Sequence, residues 1–267
     1  MKGSELRLAL DAASEAALEA GALLRDRLDT RLEIREKGHL DLVTDVDLEA
    51  QKIIFERLRA RFPGFGFLGE ESNFGVQCTP DVPCWVVDPL DGTTNYAYHI
   101  PNFVVSIGLF EGDEPLVGAV YDPIRDHLFT AARGLGLFLN HRPYEPLPAH
   151  PFDRAVIGIE LARDRKLRHR IVKFADGLTQ RVATVRLLGC TALGIAYSAF
   201  GWLDGYISFS LHPWDGAAGA VMVLEAGRRA VSLEGSTWKL NDETFLSAPE
   251  EIAGKVLALL KDNRPEN

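Results

Sequence analysis

Residues 85–95 read WVVDPLDGTTN, and this stretch constrains the chain more than any other. Three apolar residues, two of them β-branched valines, predict a short buried strand that runs into Asp88. Pro89 breaks such a strand, and Asp91 followed by Gly92 favours a turn. Two carboxylates at a strand end suit a hard divalent cation, and the turn after them can offer N–H groups to a phosphate. A plain surface turn is the alternative, because Asp-Gly is common in turns.

Composition limits the kinds of partner. The chain has 267 residues, of which 46% are hydrophobic and 25% charged, and its net charge is −9. This acidic balance argues against a nucleic-acid partner. No apolar stretch is long enough to span a membrane, and the N-terminus lacks the apolar core of a signal peptide. The three cysteines have no C-x-x-C spacing, which argues against a disulfide framework and favours a reducing, cytoplasmic location.

The N-terminal third is predicted to be mainly helical. Apolar residues at spacings of three and four predict a helix from Ser4 to about Leu28, followed by a strand over residues 31–35 and a turn over residues 37–39. Thr44 is a good N-cap for a helix that ends at Pro63, and Asp47 completes a capping-box pattern. Asp47 either satisfies this helix terminus or orients a water, and the two interpretations are compatible.

Strand patterns dominate the middle of the chain. A strand over residues 65–68 leads to Glu70 and Glu71, and runs at 103–109, 116–121, 128–132 and 137–140 predict an antiparallel meander. The proline-rich stretch 141–148 indicates a boundary between an N-terminal α+β domain (1–145) and a C-terminal α/β domain (146–267). In the second domain we expect strands at 155–160, 182–187 and 203–209 and helices at 163–178, 189–200 and 215–226. A capping box at Ser247 is expected to open a last helix.

Acidic residues recur where elements begin or end. Asp215 opens a helix of small residues, which favours close packing of that helix on a neighbour. Glu70, Asp88 and Asp91 come after strands. Taken singly, each acid has an ordinary structural explanation, but four carboxylates gathered at one place repel each other unless cations neutralise them.

Three motifs in order resemble the inositol monophosphatase family: GEES at 69–72, DPLDGTTN at 88–95 and WDGAAG at 214–219. Residues 41–47 and 104–108 are similar to it as well. The family belongs to a wider group of magnesium-dependent, lithium-sensitive sugar phosphatases that includes fructose-1,6-bisphosphatases. The resemblance extends from about residue 5 to residue 230. It implies an α+β fold, a layered αβαβα sandwich with the site between its N-terminal and C-terminal parts.

The resemblance also implies roles for residues at matching positions. Two or three Mg²⁺ ions would be held by metal ligands at Glu70, Asp88, the Leu90 carbonyl, Asp91 and Asp215. Thr93 and Asp47 would orient the attacking water, with Glu70 as a further catalytic group. The substrate would be bound by Asp91, Gly92, Thr93, Thr191, Ser208 and Asp215. This all-oxygen donor set is what Mg²⁺ prefers, and two ions can activate a water and stabilise a leaving oxygen.

Two positions depart from the family pattern. Ser208 stands where inositol-preferring animal members have an acid that contacts ring hydroxyls, and serine cannot make a charge-assisted hydrogen bond. Arg228 replaces a glycine that often follows Gly227, and we expect it to alter only the exit from the helix. His212, three residues before Asp215, is assigned no role, because a histidine there is more often packed or exposed than a ligand.

The sequence therefore predicts a Mg²⁺-dependent phosphatase of small phosphomonoesters, most readily inositol monophosphate or a related sugar or polyol phosphate. Fructose 1,6-bisphosphate, 3′-phosphoadenosine compounds and histidinol phosphate are alternative substrates. A non-catalytic protein that binds metal and a phosphorylated ligand is an alternative of another class. From the resemblance alone we expect a homodimer and inhibition by lithium.

Overall fold

A computed structural model describes residues 1–30, 34–38, 41–71 and 78–262. The described residues form seven α-helices: α1 (Gly3–Arg27), α2 (Asp45–Arg61), α3 (Thr93–Ala97), α4 (Arg165–Thr179), α5 (Thr191–Ala199), α6 (Pro213–Glu225) and α7 (Glu250–Asp262). They also form fourteen strands: β1 (Ile34–Gly38), β2 (Asp41–Thr44), β3 (Gly66–Gly69), β4 (Cys84–Asp91), β5 (Val104–Glu111), β6 (Glu114–Asp122), β7 (His127–Ala132), β8 (Gly136–Leu139), β9 (Arg142–Tyr144), β10 (Val156–Ile159), β11 (Thr184–Arg186), β12 (Gly205–Ser208), β13 (Arg229–Val231) and β14 (Phe245–Ala248). None of these helices combines the length and the apolarity that crossing a membrane requires.

The larger sheet has seven strands in the order β3-β4-β5-β6-β7-β8-β9. All neighbours are antiparallel except β3 and β4, so the predicted meander is confirmed. Side chains of β4 alternate between two apolar clusters: Trp85 and Val87 join one, and Val86 joins the other. The alternation has the period of two expected of a strand, and it shows that helices cover both faces of this sheet.

Helices α1 and α2 cover one face, and α5 and α6 cover the other. Close packing of α6 depends on glycine in the sheet. A Cβ built on Gly108 would lie 2.7 Å from the Ala217 Cβ, and one on Gly118 would overlap the Ala218 carbonyl. The small residues after Asp215 therefore bring α6 and its N-terminus tightly against the sheet, as the sequence predicted.

The smaller sheet has five strands in the order β11-β10-β12-β14-β13. β10 is parallel to β11 and β12, whereas β14 is antiparallel to β12 and β13. Its faces pack against α5 and α6 on one side and against α4 and α7 on the other. Five alternating layers result, and the predicted αβαβα sandwich is confirmed.

Several local predictions were wrong. Strands β13 and β14 were not predicted, and Ser247, predicted to cap the last helix, lies within β14. Residues 142–144, within the predicted boundary, form β9 at the sheet edge, where Pro143 is tolerated. β1 extends through the predicted turn at Gly38, while residues 31–33 and His39 lie outside the described residues.

The division at residue 145 stays a prediction. The two sheets lie on either side of it, since β9 ends at Tyr144 and β10 begins at Val156. However, α5 and α6 come from the second half of the chain and pack on the first sheet, so the two halves share a core.

The cysteine prediction was also wrong. Cys78 and Cys84 form a disulfide, with their Cα atoms 5.4 Å apart, whereas Cys190 is free and buried. A turn between them, closed by the Val82 N–H donating to the Thr79 carbonyl at 3.2 Å, brings the two cysteines together. The argument for a reducing location from the cysteine count therefore fails.

Arg228 does more than alter a helix exit. It is 7% exposed, and its guanidinium donates to the carbonyls of Leu203, Asp204 and Leu147 at 3.2–3.3 Å. Burial lowers the pKa of this arginine. Arg228 thus joins the end of α6 to the segment that enters β12 and to the connection after β9.

Candidate active site

The end of β4 forms one wall of the site. Asp88 is 2% exposed, and its Oδ1 accepts a hydrogen bond of 3.0 Å from the Leu90 N–H. The strand continues past Pro89 to Asp91, with an irregularity in its pairing to β5 between Asp88 and Asp91. Pro89 thus marks a bulge rather than the predicted strand end, since a bulge tolerates a residue without an N–H donor.

Gly92 makes the turn that follows. Its φ of +94° is unfavourable for residues with a Cβ, and a Cβ there would lie 2.8 Å from the Asn102 carbonyl oxygen. The chain then enters the short helix α3 at Thr93, and the Tyr96 N–H donates to the Gly92 carbonyl. This turn aims the start of α3 at the space beside Asp88 and Asp91.

A cavity of about 940 Å³ opens at this point. It brings together most of the predicted site residues, from both halves of the chain: Glu70, Asp88, Leu90, Asp91, Gly92, Thr93, Thr191 and Asp215. The volume is in the upper range of small-molecule sites.

Three of the aspartates are held by one oxygen each. Each accepts a hydrogen bond from a backbone N–H. Asp88 accepts from Leu90 as described, Asp91 Oδ2 accepts from Ala192 at 2.6 Å, and Asp215 Oδ2 accepts from His212 at 2.8 Å. Asp91 Oδ2 also accepts a hydrogen bond of 3.1 Å from the Cys190 thiol. Within the described part of the chain, the second oxygen of each aspartate accepts no hydrogen bond. Outer hydrogen bonds of this kind fix the orientation of carboxylates that hold a metal ion.

The carboxylates destabilise one another's charged forms. Burial, followed by the charges of Glu70, Asp91 and Asp215, raises the pKa of Asp88 well above its usual range. Burial and Asp215 together raise the pKa of Asp91 to about 7, against the hydrogen bonds from Cys190 and Ala192. A cation between these groups would offset the repulsion between their negative charges.

The donor set fits a hard divalent cation. It consists of carboxylate and carbonyl oxygens, which Mg²⁺ prefers, and the buried carboxylates carry mutual repulsion that such an ion would relieve. Among the described residues, no three Asp, Glu, His or Cys side chains are already drawn together as a metal-binding group.

Asp47 and Thr93 form the other part of the site. Asp47 is fully buried, and its Oδ2 accepts from the Thr44 N–H at 2.9 Å and from Thr44 Oγ1 at 2.5 Å. The predicted capping box at the start of α2 is thus confirmed. Asp47 Oδ1 points the other way and accepts a hydrogen bond of 3.4 Å from Thr93 Oγ1. Asp47 therefore caps α2 and also contacts a side chain that lines the cavity, while its role in orienting a water stays a prediction.

Thr191 and Ser208 have different positions. Thr191 is the first residue of α5 and lines the cavity. Ser208 does not line it, because the side chain is fully buried and its Oγ donates to the Ser210 carbonyl at 3.0 Å. The structure therefore does not bring Ser208 to the predicted substrate position, and Ser210 lines the cavity instead.

Several cavity residues were not predicted. Glu160, at the end of β10, accepts a hydrogen bond of 3.2 Å from the Tyr206 hydroxyl, and burial raises the pKa of this acid. His212 stacks in parallel on Trp214, with ring centroids 5.2 Å apart. Its imidazole Nδ1 lies 3.6 Å from Asp215 Oδ2, and the interaction with this carboxylate raises the pKa of the imidazole. Arg163, Asp164 and Arg168 also line the cavity. The only sequence signal was the position of residues 160–168 directly after a strand.

The five-layer α+β sandwich, with an acidic cavity between its two sheets, defines the class of proteins with the sugar-phosphatase fold. The chain belongs to the inositol monophosphatase family, whose model matches residues 5–264. It is 42% identical over 228 residues to the inositol-1-monophosphatase of Synechocystis, covering 84% of this chain and 78% of that protein. It is also 38% identical over 239 residues to inositol monophosphatase 3 of tomato (Solanum lycopersicum), covering 86% and 88%.

A solved structure has the same fold. The extragenic suppressor protein suhB from Bartonella henselae superposes with a TM-score of 0.90 at 34% identity, covering 95% of this chain and 98% of that one. At this coverage the similarity extends over both sheets.

Proposed function

We propose that this protein is a Mg²⁺-dependent phosphatase that hydrolyses inositol monophosphate or a related sugar or polyol phosphate. The observation that carries the proposal is the cavity in which buried carboxylates face the Asp47–Thr93 pair. The names of the relatives, several of which are inositol monophosphatases, support the substrate class.

The proposed mechanism assigns each residue a task. The ions would be held by Glu70, Asp88, Asp91, Asp215 and the Leu90 carbonyl. When bound, such ions supply activation of a water and stabilisation of the leaving oxygen. The N–H groups of Gly92 and Thr93 would bind the phosphate, and the phosphate oxygens would be aligned by the same turn that needs the positive φ of Gly92.

Asp47 and Thr93 would prepare the attacking water. Thr93 Oγ1 lies in hydrogen-bond reach of both Asp47 Oδ1 and the Leu90 carbonyl, at 3.4 Å and 3.1 Å. A water that donates to Thr93 would pass its proton toward Asp47 as it attacks phosphorus, and the ester P–O bond would break on the opposite side. Thr44 fixes the Asp47 carboxylate, which keeps the pair in place for this transfer.

A screen of phosphate release tests the proposal. Purified protein with Mg²⁺ is given inositol 1-phosphate, fructose 1,6-bisphosphate and 3′-phosphoadenosine 5′-phosphate, with Asp11→Asn as a control at an exposed acid on α1. We expect release from inositol 1-phosphate or a sugar phosphate by wild type and control alike. No release from any compound would favour the non-catalytic alternative. One relative, Nus factor SuhB of Xylella fastidiosa, has a name that is consistent with this alternative.

Other properties are proposed from family membership alone. We infer inhibition by lithium, a homodimer and a cytoplasmic location; the last has lost the support of the cysteine count, because Cys78 and Cys84 are joined. Lithium titration of the activity, the mass in solution and cell fractionation test the three properties in turn.

A further inference from the structure

A basic segment borders the acidic cavity. Residues 163–173 contain four arginines and two lysines against a single acid, Asp164, in a chain whose net charge is −9. Two of these cations, Arg163 and Arg168, line the cavity that also contains the carboxylates. The cavity therefore has an acidic end, which suits cations, and a basic end, which suits an anion.

Arg168 is positioned for an anion in the cavity. Its Nε donates to the Ala162 carbonyl at 3.0 Å, which holds the half-buried guanidinium against the loop between β10 and α4. Within the described residues, Arg168 forms no ion pair. Asp164, the one acid among residues 163–173, accepts a hydrogen bond of 2.7 Å from the Leu167 N–H as the N-cap of α4, and Glu160 lines the same cavity.

Arg163 faces the same space. It lines the cavity together with His212 and Trp214, whose rings stack in parallel at the start of α6. Arg163 lies just before α4 and Arg168 in the first turn of that helix, and both side chains border the same cavity.

The bound anion is not the reacting phosphate in this arrangement. In the proposed function the reacting phosphate is bound by the N–H groups of Gly92 and Thr93, which directly follow β4 of the larger sheet, among the carboxylates. A volume of about 940 Å³ leaves room for more than one phosphate and a ring. Guanidinium binds phosphate through two parallel hydrogen bonds, which makes a phosphate the best-matched group for the basic end.

We propose that this cavity selects substrates with a second phosphate, which Arg168 and Arg163 bind while the first phosphate is hydrolysed. The inference rests on the proposed phosphatase function. For fructose 1,6-bisphosphate, water attacks the phosphorus on C1, the bond from that phosphorus to the C1 oxygen breaks, and the oxygen takes a proton. The products are inorganic phosphate and fructose 6-phosphate, whose remaining phosphate stays opposite the arginines until release.

The test compares two compounds that differ only in the second phosphate. The ratio of kcat/KM for fructose 1,6-bisphosphate to that for fructose 1-phosphate is measured with Mg²⁺ in wild type, Arg168→Gln, Arg168→Lys, Arg163→Gln and Arg165→Gln. Arg165 is the matched control, since it is an exposed arginine on the same segment that does not line the cavity. Loss of one charge-assisted contact predicts a fall of about tenfold in the ratio for Arg168→Gln.

We expect wild type to prefer the bisphosphate, Arg168→Lys to keep part of the preference and Arg165→Gln to keep all of it. Equal kcat/KM values for the two compounds in wild type, or equal ratios in wild type and Arg168→Gln, would overturn the inference while leaving the phosphatase function intact. No phosphate release from either compound or from inositol 1-phosphate would overturn both.

Discussion

Thr93 Oγ1 donates to Asp47 Oδ1 at 3.4 Å, which joins the start of α3 to the start of α2 across 46 positions of sequence. The contact brings a fully buried carboxylate to the edge of a cavity that it does not itself line. It also means that one carboxylate both caps a helix and meets the group proposed to orient water.

Asp47→Asn should separate these two tasks. Asparagine retains an oxygen that can accept from the Thr44 N–H, but it cannot take a proton from Thr93. Because a positioned general base contributes about 10² to 10⁴ in rate, we expect kcat to fall at least about 100-fold with little change in KM. Steady-state kinetics on inositol 1-phosphate measures this, with Asp11→Asn as control. A fall in kcat that merely matches a loss of folded protein, seen by circular dichroism, would assign Asp47 a structural role only.

The carboxylates should make metal-free protein less stable as pH rises. Asp91 has a pKa of about 7 in the folded chain against an ordinary value of 3.8. Between these values the folded state holds a proton that the unfolded state lacks, so this group's contribution to stability declines as pH rises from about 4 to 7. Urea midpoints in EDTA at pH 5 and pH 8 measure the effect. The urea midpoint of Asp91→Asn should fall less between pH 5 and pH 8 than that of wild type. An equal fall in both proteins would contradict the raised pKa of Asp91.

Gly118→Ala should destabilise the protein through the sheet–helix contact. A Cβ at Gly118 overlaps the Ala218 carbonyl of α6, and overpacking of this kind costs about 1–3 kcal/mol. Gly254→Ala is the matched control, because a Cβ at this exposed position of α7 meets nothing within 4 Å. Denaturant unfolding should therefore give a lower free energy of unfolding than wild type for Gly118→Ala, and an unchanged or higher one for Gly254→Ala. Similar losses in both would rule out the proposed packing constraint.

Features set by neighbouring residues were predicted well from the sequence. The capping box of Thr44 and Asp47, the meander and the close-packed α6 follow from local patterns, and the structure confirms them. The resemblance identified the residues that surround Asp88, because their motifs are contiguous in sequence even though the side chains come from different layers.

Features set by distant residues were predicted poorly. Strand β14 depends on pairing with β12 and β13, and neither partner is visible from residues 245–248. Ser208 was placed by counting back from Asp215, but its side chain turns to the Ser210 carbonyl. The sequence did not predict a role for Arg168, because a basic helical segment usually faces solvent. Only the fold shows that the first turn of α4 borders the cavity.

Dependence of phosphate release on Mg²⁺ tests the central claim most directly. Initial rates with inositol 1-phosphate are measured against Mg²⁺ concentration for wild type, Asp91→Asn and the control Asp11→Asn. We predict no release in EDTA, saturation with Mg²⁺ for wild type and control, and a rate lower by more than about 100-fold for Asp91→Asn, with the fold retained. Release that persists in EDTA, or wild-type rates in Asp91→Asn, would contradict the account.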